Sequence, residues 1–127
     1  MDRKFYLSAR EQDEAWKRKI VTPRSAVVGL VESHDGDSLV IIKRKYPPLG
    51  FAFPGGMMDV GEFIADTAIR EVEEETGIIA EPLGILNIIS DPEMDPRFHV
   101  IVTHVVMKAK DNVDPKGMDD ALEAHWE

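Results

Sequence analysis

The feature that most constrains this chain is an acidic segment that follows a glycine-rich loop, GGMMDVGEFIADTAIREVEEETGI at residues 55–78. Four of the five residues from Glu71 to Glu75 are glutamates. Carboxylates three or four positions apart on a helix repel one another, so this cluster lowers the stability of a helix. A divalent cation bound among the carboxylates removes that repulsion. The segment therefore predicts a helix that binds a metal ion.

Helical periodicity separates the acidic residues from the apolar ones. At about 3.6 residues per turn, Glu71, Glu74 and Glu75 share one side of the helix, while Glu73 points elsewhere. The apolar positions that recur at helical spacing form the predicted buried stripe: Ile64, Ala65, Ala68, Ile69 and Val72. Gly77 suits the left-handed residue that ends a helix. Carboxylate ligands without thiolate or imidazole favour Mg²⁺ or Mn²⁺ over Zn²⁺.

An alternative interpretation of the same segment is a solvated acidic helix behind a glycine turn. Charge runs alone are usually of that kind. Here the glycines Gly55, Gly56 and Gly61 precede the helix, and their backbone can approach a phosphate or a metal ion closely. The fixed spacing of glycine, acidic and basic residues favours the binding site.

Composition predicts one folded domain without disulfides. The chain has 127 residues, of which 43% are hydrophobic, so we expect a single domain over 1–127 with one core. The absence of cysteine excludes disulfides and is consistent with a reducing cytoplasm. No apolar run approaches the length that spans a membrane. The net charge of −9 argues against binding to nucleic acid or anionic membranes, but it is compatible with a phosphorylated small molecule.

Hydrophobic patterns on both sides of the acidic helix predict strands. We expect strands at 25–31, 39–42, 78–80, 83–89 and 98–108, a short last element at 121–126 and a helix at 8–20. Asp35-Gly36 predicts a turn between the first two strands, and Pro82 is expected to interrupt the strand that contains it. Several strands around one central helix indicate an α/β (α+β) sandwich with a mixed β-sheet.

The acidic segment resembles the Nudix box, G-x5-E-x7-R-E-U-x-E-E-x-G-U, where U is a bulky aliphatic residue. All nine specified positions are filled, by Gly56, Glu62, Arg70, Glu71, Val72, Glu74, Glu75, Gly77 and Ile78. The resemblance implies an α/β/α sandwich over nearly the whole chain. Such relatives have a further helix after the region of Trp126, whereas this sequence stops at Glu127, so either the molecule lacks this helix or the sequence omits a tail. The apolar sheet surface that this helix would cover makes a homodimer an expectation.

Nudix hydrolases cleave a nucleoside diphosphate linked to another group by water attack on phosphorus. For this chain the resemblance implies Mg²⁺ (or Mn²⁺) bound by Gly56, Glu71, Glu74 and Glu75. Arg70 is expected to orient a neighbouring glutamate, and Glu62 to support the helix start and reach the metal through water. The general base is either a box glutamate or a carboxylate of a later loop. Asp119, Asp120 and Glu123 are the later candidates, and Glu123 is preferred.

The segment SDPEMDPRFH at residues 90–99 resembles the S-D-P-x-R-D-P-R-x-H segment of Nudix members similar to ADP-ribose pyrophosphatases. Met94 stands where that pattern has arginine. The resemblance implies substrate contacts from Arg97 and His99. Adenine would also need a stacking surface, for which Phe53 is a candidate together with Phe51, Tyr46 and Trp126. We expect ADP-ribose to be cleaved to AMP and ribose 5-phosphate.

Two other functions are compatible with the same box. One is a house-cleaning pyrophosphatase for nucleoside triphosphates or dinucleotides, which shares the box entirely. The other is a regulator of Nudix fold that binds a nucleotide without cleaving it. The complete set of box residues favours an enzyme over the regulator.

Overall fold

Two β-sheets and one α-helix form the part of the chain that the structure, a computed structural model, describes: residues 22–127. The elements are β1 Arg24–Glu32, β2 Val40–Arg44, β3 Phe51–Ala52, β4 Gly55–Met57, α1 Ile64–Thr76, β5 Ala80–Ile89, β6 Val100–Ala109 and β7 Ala121–Trp126. The helix predicted at 8–20 lies outside the described residues. Among those that are described, no helix has both the length and the apolar character needed to cross a membrane.

The larger sheet is mixed, as the sequence predicted. Its strand order is β4-β1-β6-β5, and β1 runs parallel to β6 while the other neighbours are antiparallel. The smaller sheet is antiparallel, with the order β3-β2-β7. The predicted turn at Gly36 is present, but β1 and β2 then enter different sheets and are joined only by a bridge between Glu32 and Leu39. The chain therefore passes from one sheet to the other at this turn.

The main core lies between α1 and one face of the larger sheet. Side chains at alternating positions of a strand share a face, so Val27 and Val31 of β1 lie on one face, where Val31 pairs in register with Met107 of β6. These three side chains and Val72 of α1 have no exposed surface. They belong to one cluster, so α1 is held on the sheet by apolar contact.

The buried side of α1 differs from the predicted stripe at one position. Four predicted residues contribute to the core: Ile64, Ala68, Ile69 and Val72. Ala65 is exposed, and Thr67 is fully buried instead. The Thr67 hydroxyl donates to Glu62 Oε1 at 3.0 Å, which compensates for the burial of a polar group. The predicted helix end is confirmed, because Gly77 has φ 75° and donates its N–H to the Glu73 carbonyl at 2.8 Å.

The predicted break at Pro82 is wrong, because β5 continues through it from Ala80 to Ile89. The strand lies at the edge of the sheet, where one side of the backbone needs no partner, and its register with β6 shifts between Pro82 and Gly84. Several large apolar side chains of β5 are exposed: Leu83, Ile85, Leu86 and Ile88. Self-association through apolar surface stays a prediction.

We predict that Gly29→Ala destabilises the protein. A Cβ at Gly29 would lie 2.7 Å from Val72 Cγ2 and 2.9 Å from Met107 Sδ, so it would push α1 away from the sheet. The expected loss in free energy of unfolding is about 1–3 kcal/mol, measured by chemical denaturation. Gly84→Ala is the control, because a Cβ there meets no atom within 4 Å. Equal losses for the two variants would contradict this account of the packing.

Candidate active site

The glycine loop lies directly against the acidic side of α1. A Cβ at Gly56 would lie 2.5 Å from Cδ and Oε1 of Glu71, and the Gly55 N–H donates to Glu75 Oε1 at 3.0 Å. Gly56 is therefore required for close approach, because any side chain would displace the Glu71 carboxylate. The loop backbone and two box carboxylates, those of Glu71 and Glu75, come together in this way.

Arg70 connects three glutamates of the box. Its Nε donates to Glu62 Oε2 at 2.8 Å, and its Nη1 donates to Glu71 Oε1 at 2.8 Å and Glu74 Oε2 at 3.2 Å. Its Nη2 donates to the Met57 carbonyl at 3.1 Å, which links the helix to the loop. A planar guanidinium can make these contacts together, whereas a lysine ammonium cannot.

Glu62 is bound to Arg70 rather than directed towards the other carboxylates. Hydrogen bonds from Arg70, followed by that from the Asp59 N–H, lower the pKa of Glu62 to about 2. The same carboxylate also accepts from Thr67. The structure therefore places Glu62 where it fixes the Arg70 guanidinium, and its reach to a metal ion through water stays a prediction.

A cavity of about 300 Å³, here called the acidic cavity, opens between the loop, α1 and the segment before β7. Its charged lining consists of Glu71, Glu75, Asp119, Asp120, Arg44 and Arg97. The four acidic residues come from two regions that are more than forty positions apart in the sequence. Gly56 also lines this cavity.

Burial raises the pKa of two carboxylates of this cavity, Glu75 and Glu71. Glu75 is only 4% exposed. This burial, with further contributions from Glu71 and Asp120, raises the pKa of Glu75 to about 7 despite the hydrogen bond from Gly55. Burial also raises the pKa of Glu71, although Arg70 opposes the shift. The cavity thus contains more negative charge than its described cations balance.

The predicted metal ligands are not all in one place. Gly56, Glu71 and Glu75 line the acidic cavity, whereas Glu74 lies outside its lining with 43% of its side chain exposed. Within residues 22–127, no three acidic or histidine side chains are arranged closely enough to hold a metal ion as they stand. The contact between Arg70 and Glu71 partly explains this, because the guanidinium occupies one side of that carboxylate.

The loop before β7 supplies two carboxylates, but Glu123 is not one of them. Asp119 and Asp120 line the acidic cavity. Asp119 has a φ of 51°, a left-handed conformation that is uncommon outside glycine and concentrates at functional sites. Glu123 is exposed on β7 with its carboxylate 3.5 Å from His125 Nε2, and it does not line the acidic cavity.

A second cavity of about 360 Å³, here called the apolar cavity, adjoins the first. The two share Arg44, Gly55, Gly56, Met57 and Arg97. The remaining lining is largely apolar and includes Ala26, Val28, Phe53, Met94, Val100 and Val102. The shared residues place a charged compartment and an apolar compartment side by side.

Two of the three predicted substrate contacts lie at this cavity. Phe53 lines it, and Arg97 lines both cavities. The Arg97 guanidinium is held by Asp95 through two hydrogen bonds of 3.0 and 2.8 Å, which lower the pKa of Asp95 to about 2. His99 is elsewhere, because its Nε2 lies 2.8 Å from the Ser90 carbonyl and connects the two ends of the loop.

The sequence did not identify two residues that the structure places here. Arg44 lines both cavities and His104 lines the apolar one. Arg44 Nε and His104 Nδ1 are buried without a hydrogen-bond partner among the described residues. The basic run of Lys43 to Lys45 at the end of a strand was a usable signal for Arg44. His104 gave none, because the strand pattern alone does not show what a strand faces.

Comparison with known proteins shows the family to which this chain is similar. The NUDIX domain family model matches residues 22–127. An ADP-ribose pyrophosphatase of Methanocaldococcus jannaschii is 34% identical over 119 residues, 92% of this chain and 69% of that protein. The mouse ADP-sugar pyrophosphatase is 28% identical over 112 residues, 80% of this chain and 50% of its own length.

A solved structure shows the same fold. The bifunctional NMN adenylyltransferase/ADP ribose pyrophosphatase of Francisella tularensis, complexed with AMP and a Mn ion, has a TM-score of 0.73 at 23% identity. The match covers 97% of this chain and 43% of that one. The predicted fold class is therefore confirmed.

We predict that the metal-free protein loses stability as the pH rises between about 4.5 and about 7. The folded protein keeps the Glu75 proton up to about pH 7, while the unfolded chain releases it near pH 4.5. Between these two pH values the folded state binds more protons than the unfolded chain, so the free energy of unfolding falls as the pH rises. The difference between the two pKa values of Glu75 corresponds to a total fall of roughly 3 kcal/mol.

Glu75→Gln is the matched variant, because its side-chain carbonyl still accepts from the Gly55 N–H but does not titrate. Chemical denaturation at about pH 5 and about pH 8 should show a smaller fall in this variant than in the wild type. Glu62 and Asp95 have lowered pKa values and lose their protons below this range. An identical pH dependence in both proteins would contradict the assignment to Glu75.

Proposed function

Because this chain belongs to the NUDIX domain family, whose pyrophosphatases are hydrolases acting on phosphoric anhydride bonds, we propose that it hydrolyses a nucleoside diphosphate linked to a second group. ADP-ribose is the proposed substrate, with AMP and ribose 5-phosphate as products. The main support is the acidic cavity, which shares Arg44 and Arg97 with an apolar one. A substrate of this class likewise has an anionic diphosphate next to a base with an apolar face.

The acidic cavity fits a divalent cation. Its lining offers carboxylate oxygens, it contains four carboxylates against the two arginines Arg44 and Arg97, and the absence of a Cβ at Gly56 lets the loop backbone approach Glu71. Glu71, Glu75 and the Gly56 carbonyl are the proposed ligands of Mg²⁺ or Mn²⁺, and Glu74 completes the set because it shares Arg70 with Glu71. A bound ion would offset the charge of the diphosphate oxygens.

Arg44 and Arg97 are proposed to bind the diphosphate. The Arg44 side chain carries a buried Nε without a partner among the described residues, so an anionic ligand would supply the missing acceptor. Arg97 also lines both cavities. Its Nε and Nη2 donate to Asp95, and its Nη1 would donate to a phosphate oxygen. Both residues thus position the scissile bond beside the carboxylates.

Asp119 is proposed as the general base that accepts a proton from the attacking water. It lines the acidic cavity in a left-handed conformation, and its charge is one of those that raise the pKa of Glu71. Glu123 is the alternative, and it would have to leave the exposed surface of β7. Glu62 and Arg70 act as positioning residues through their mutual hydrogen bonds.

We predict that the protein with Mg²⁺ releases AMP and ribose 5-phosphate from ADP-ribose, measured by chromatography of the products. Nucleoside triphosphates and diadenosine polyphosphates are compared at the same concentration. A preference for either would replace the proposed substrate. Met94, which lines the apolar cavity where the resembling pattern has arginine, would then be the first residue to substitute. Nucleotide binding without any cleavage would favour the non-catalytic regulator.

We predict that Glu71→Gln lowers kcat on the order of 10²-fold or more, because a carboxylate of the acidic cavity is lost. Glu73→Gln is the control, since Glu73 belongs to the same cluster but is exposed and lines neither cavity. Saturating Mg²⁺ or Mn²⁺ should raise the Tm of the wild type but not of Glu71→Gln. Equal activity in both variants would exclude Glu71 from the metal site.

We predict that Asp119→Asn lowers kcat at least about tenfold with little change in KM, because general base catalysis acts on the transition state. Glu123→Gln should leave kcat unchanged. The reverse result would assign the base to Glu123. Glycine adopts the left-handed backbone conformation of Asp119 without strain but has no carboxylate. Full activity of Asp119→Gly would therefore show that the backbone conformation, and not the carboxylate, matters at this position.

A further inference from the structure

We propose that the apolar cavity receives the heteroaromatic base of the nucleotide and that His104 determines this specificity by a hydrogen bond to the base. The inference rests on the proposed function, since the base belongs to the substrate of the same site. The inference assigns the base of the substrate to the apolar cavity and its diphosphate to the acidic cavity. It also assigns a role to His104, which the sequence did not single out.

His104 lies on the face of the larger sheet opposite to α1. It pairs in register with Val28 of the parallel strand β1, and Val102 lies two positions before it on the same face of β6. All three line the apolar cavity. The imidazole is therefore a polar group on an apolar surface, at a fixed position of a central strand.

The imidazole lacks part of its hydrogen bonding. Nδ1 is buried without a partner among residues 22–127. A proton on Nδ1 would leave a buried donor without an acceptor, so the neutral ring is expected to carry its proton on Nε2. Nε2 is then a donor that suits a ring nitrogen or carbonyl oxygen of a base.

The other lining residues favour a planar ring over a sugar or a phosphate. Phe53 provides an aromatic face, and Met57 and Met94 provide polarisable side chains that pack against rings. Asp95 also lines the cavity, but its carboxylate is held by Arg97. A ribose would need partners for several hydroxyl groups, whereas a base needs few polar contacts besides its stacked face.

The first test measures binding of AMP and of ribose 5-phosphate to the protein without metal. His104→Leu should weaken AMP binding roughly tenfold and leave ribose 5-phosphate binding unchanged. His125→Leu is the control, because His125 is an exposed histidine on β7 outside both cavities. Equal weakening of the two ligands by His104→Leu would overturn the proposal, as would wild-type protein that binds no AMP.

The second test uses the wild type, so it does not depend on folding of the variant. Nitrogen-15 NMR of the imidazole rings should show a shift of the His104 resonances on addition of AMP but not of ribose 5-phosphate. Unchanged His104 resonances with bound AMP would overturn the proposal. Neither test requires turnover, so a protein that binds AMP through His104 but cleaves no substrate would refute the proposed function alone.

Discussion

The site depends on the close approach of the glycine loop to α1. Gly55 is wedged between β1 and the helix, where a Cβ would collide with the Val27 carbonyl and its N–H donates to Glu75. Gly56 lies against Glu71 in the same way. Two adjacent residues without side chains thus let the backbone reach two carboxylates one turn apart. If the loop moved outward, the acidic cavity would lose one of its walls.

This approach creates an electrostatic cost that the fold partly offsets. Arg70 neutralises one side of the cluster by contacts with Glu62, Glu71 and Glu74. On the other side, buried Glu75 shares its cavity with Asp119 and Asp120 and has a pKa near 7. A site of this kind gives up stability in the metal-free protein and regains it when a cation binds. This distribution of charge is the reason for proposing a metal ion at this site.

The second consequence of the topology is that two chemically different compartments share a wall. β4 joins the larger sheet next to β1, and its Gly55, Gly56 and Met57 separate the acidic cavity from the apolar one. Arg44 reaches the same wall from the end of β2 in the smaller sheet. The proposed nucleotide substrate has the same two parts, an anionic linkage and a base.

Sequence alone determined the local features: the existence of α1, its end at Gly77, the contact between Arg70 and a neighbouring glutamate, and the acidic character of the site. These depend on helical spacing within a few turns, which a sequence states directly. Tertiary structure decided that Asp119 rather than Glu123 lines the cavity, that His99 serves the loop, and that Arg44 and His104 belong to the site. Those positions depend on which strands become neighbours and which face each strand presents, and contacts between distant segments set both.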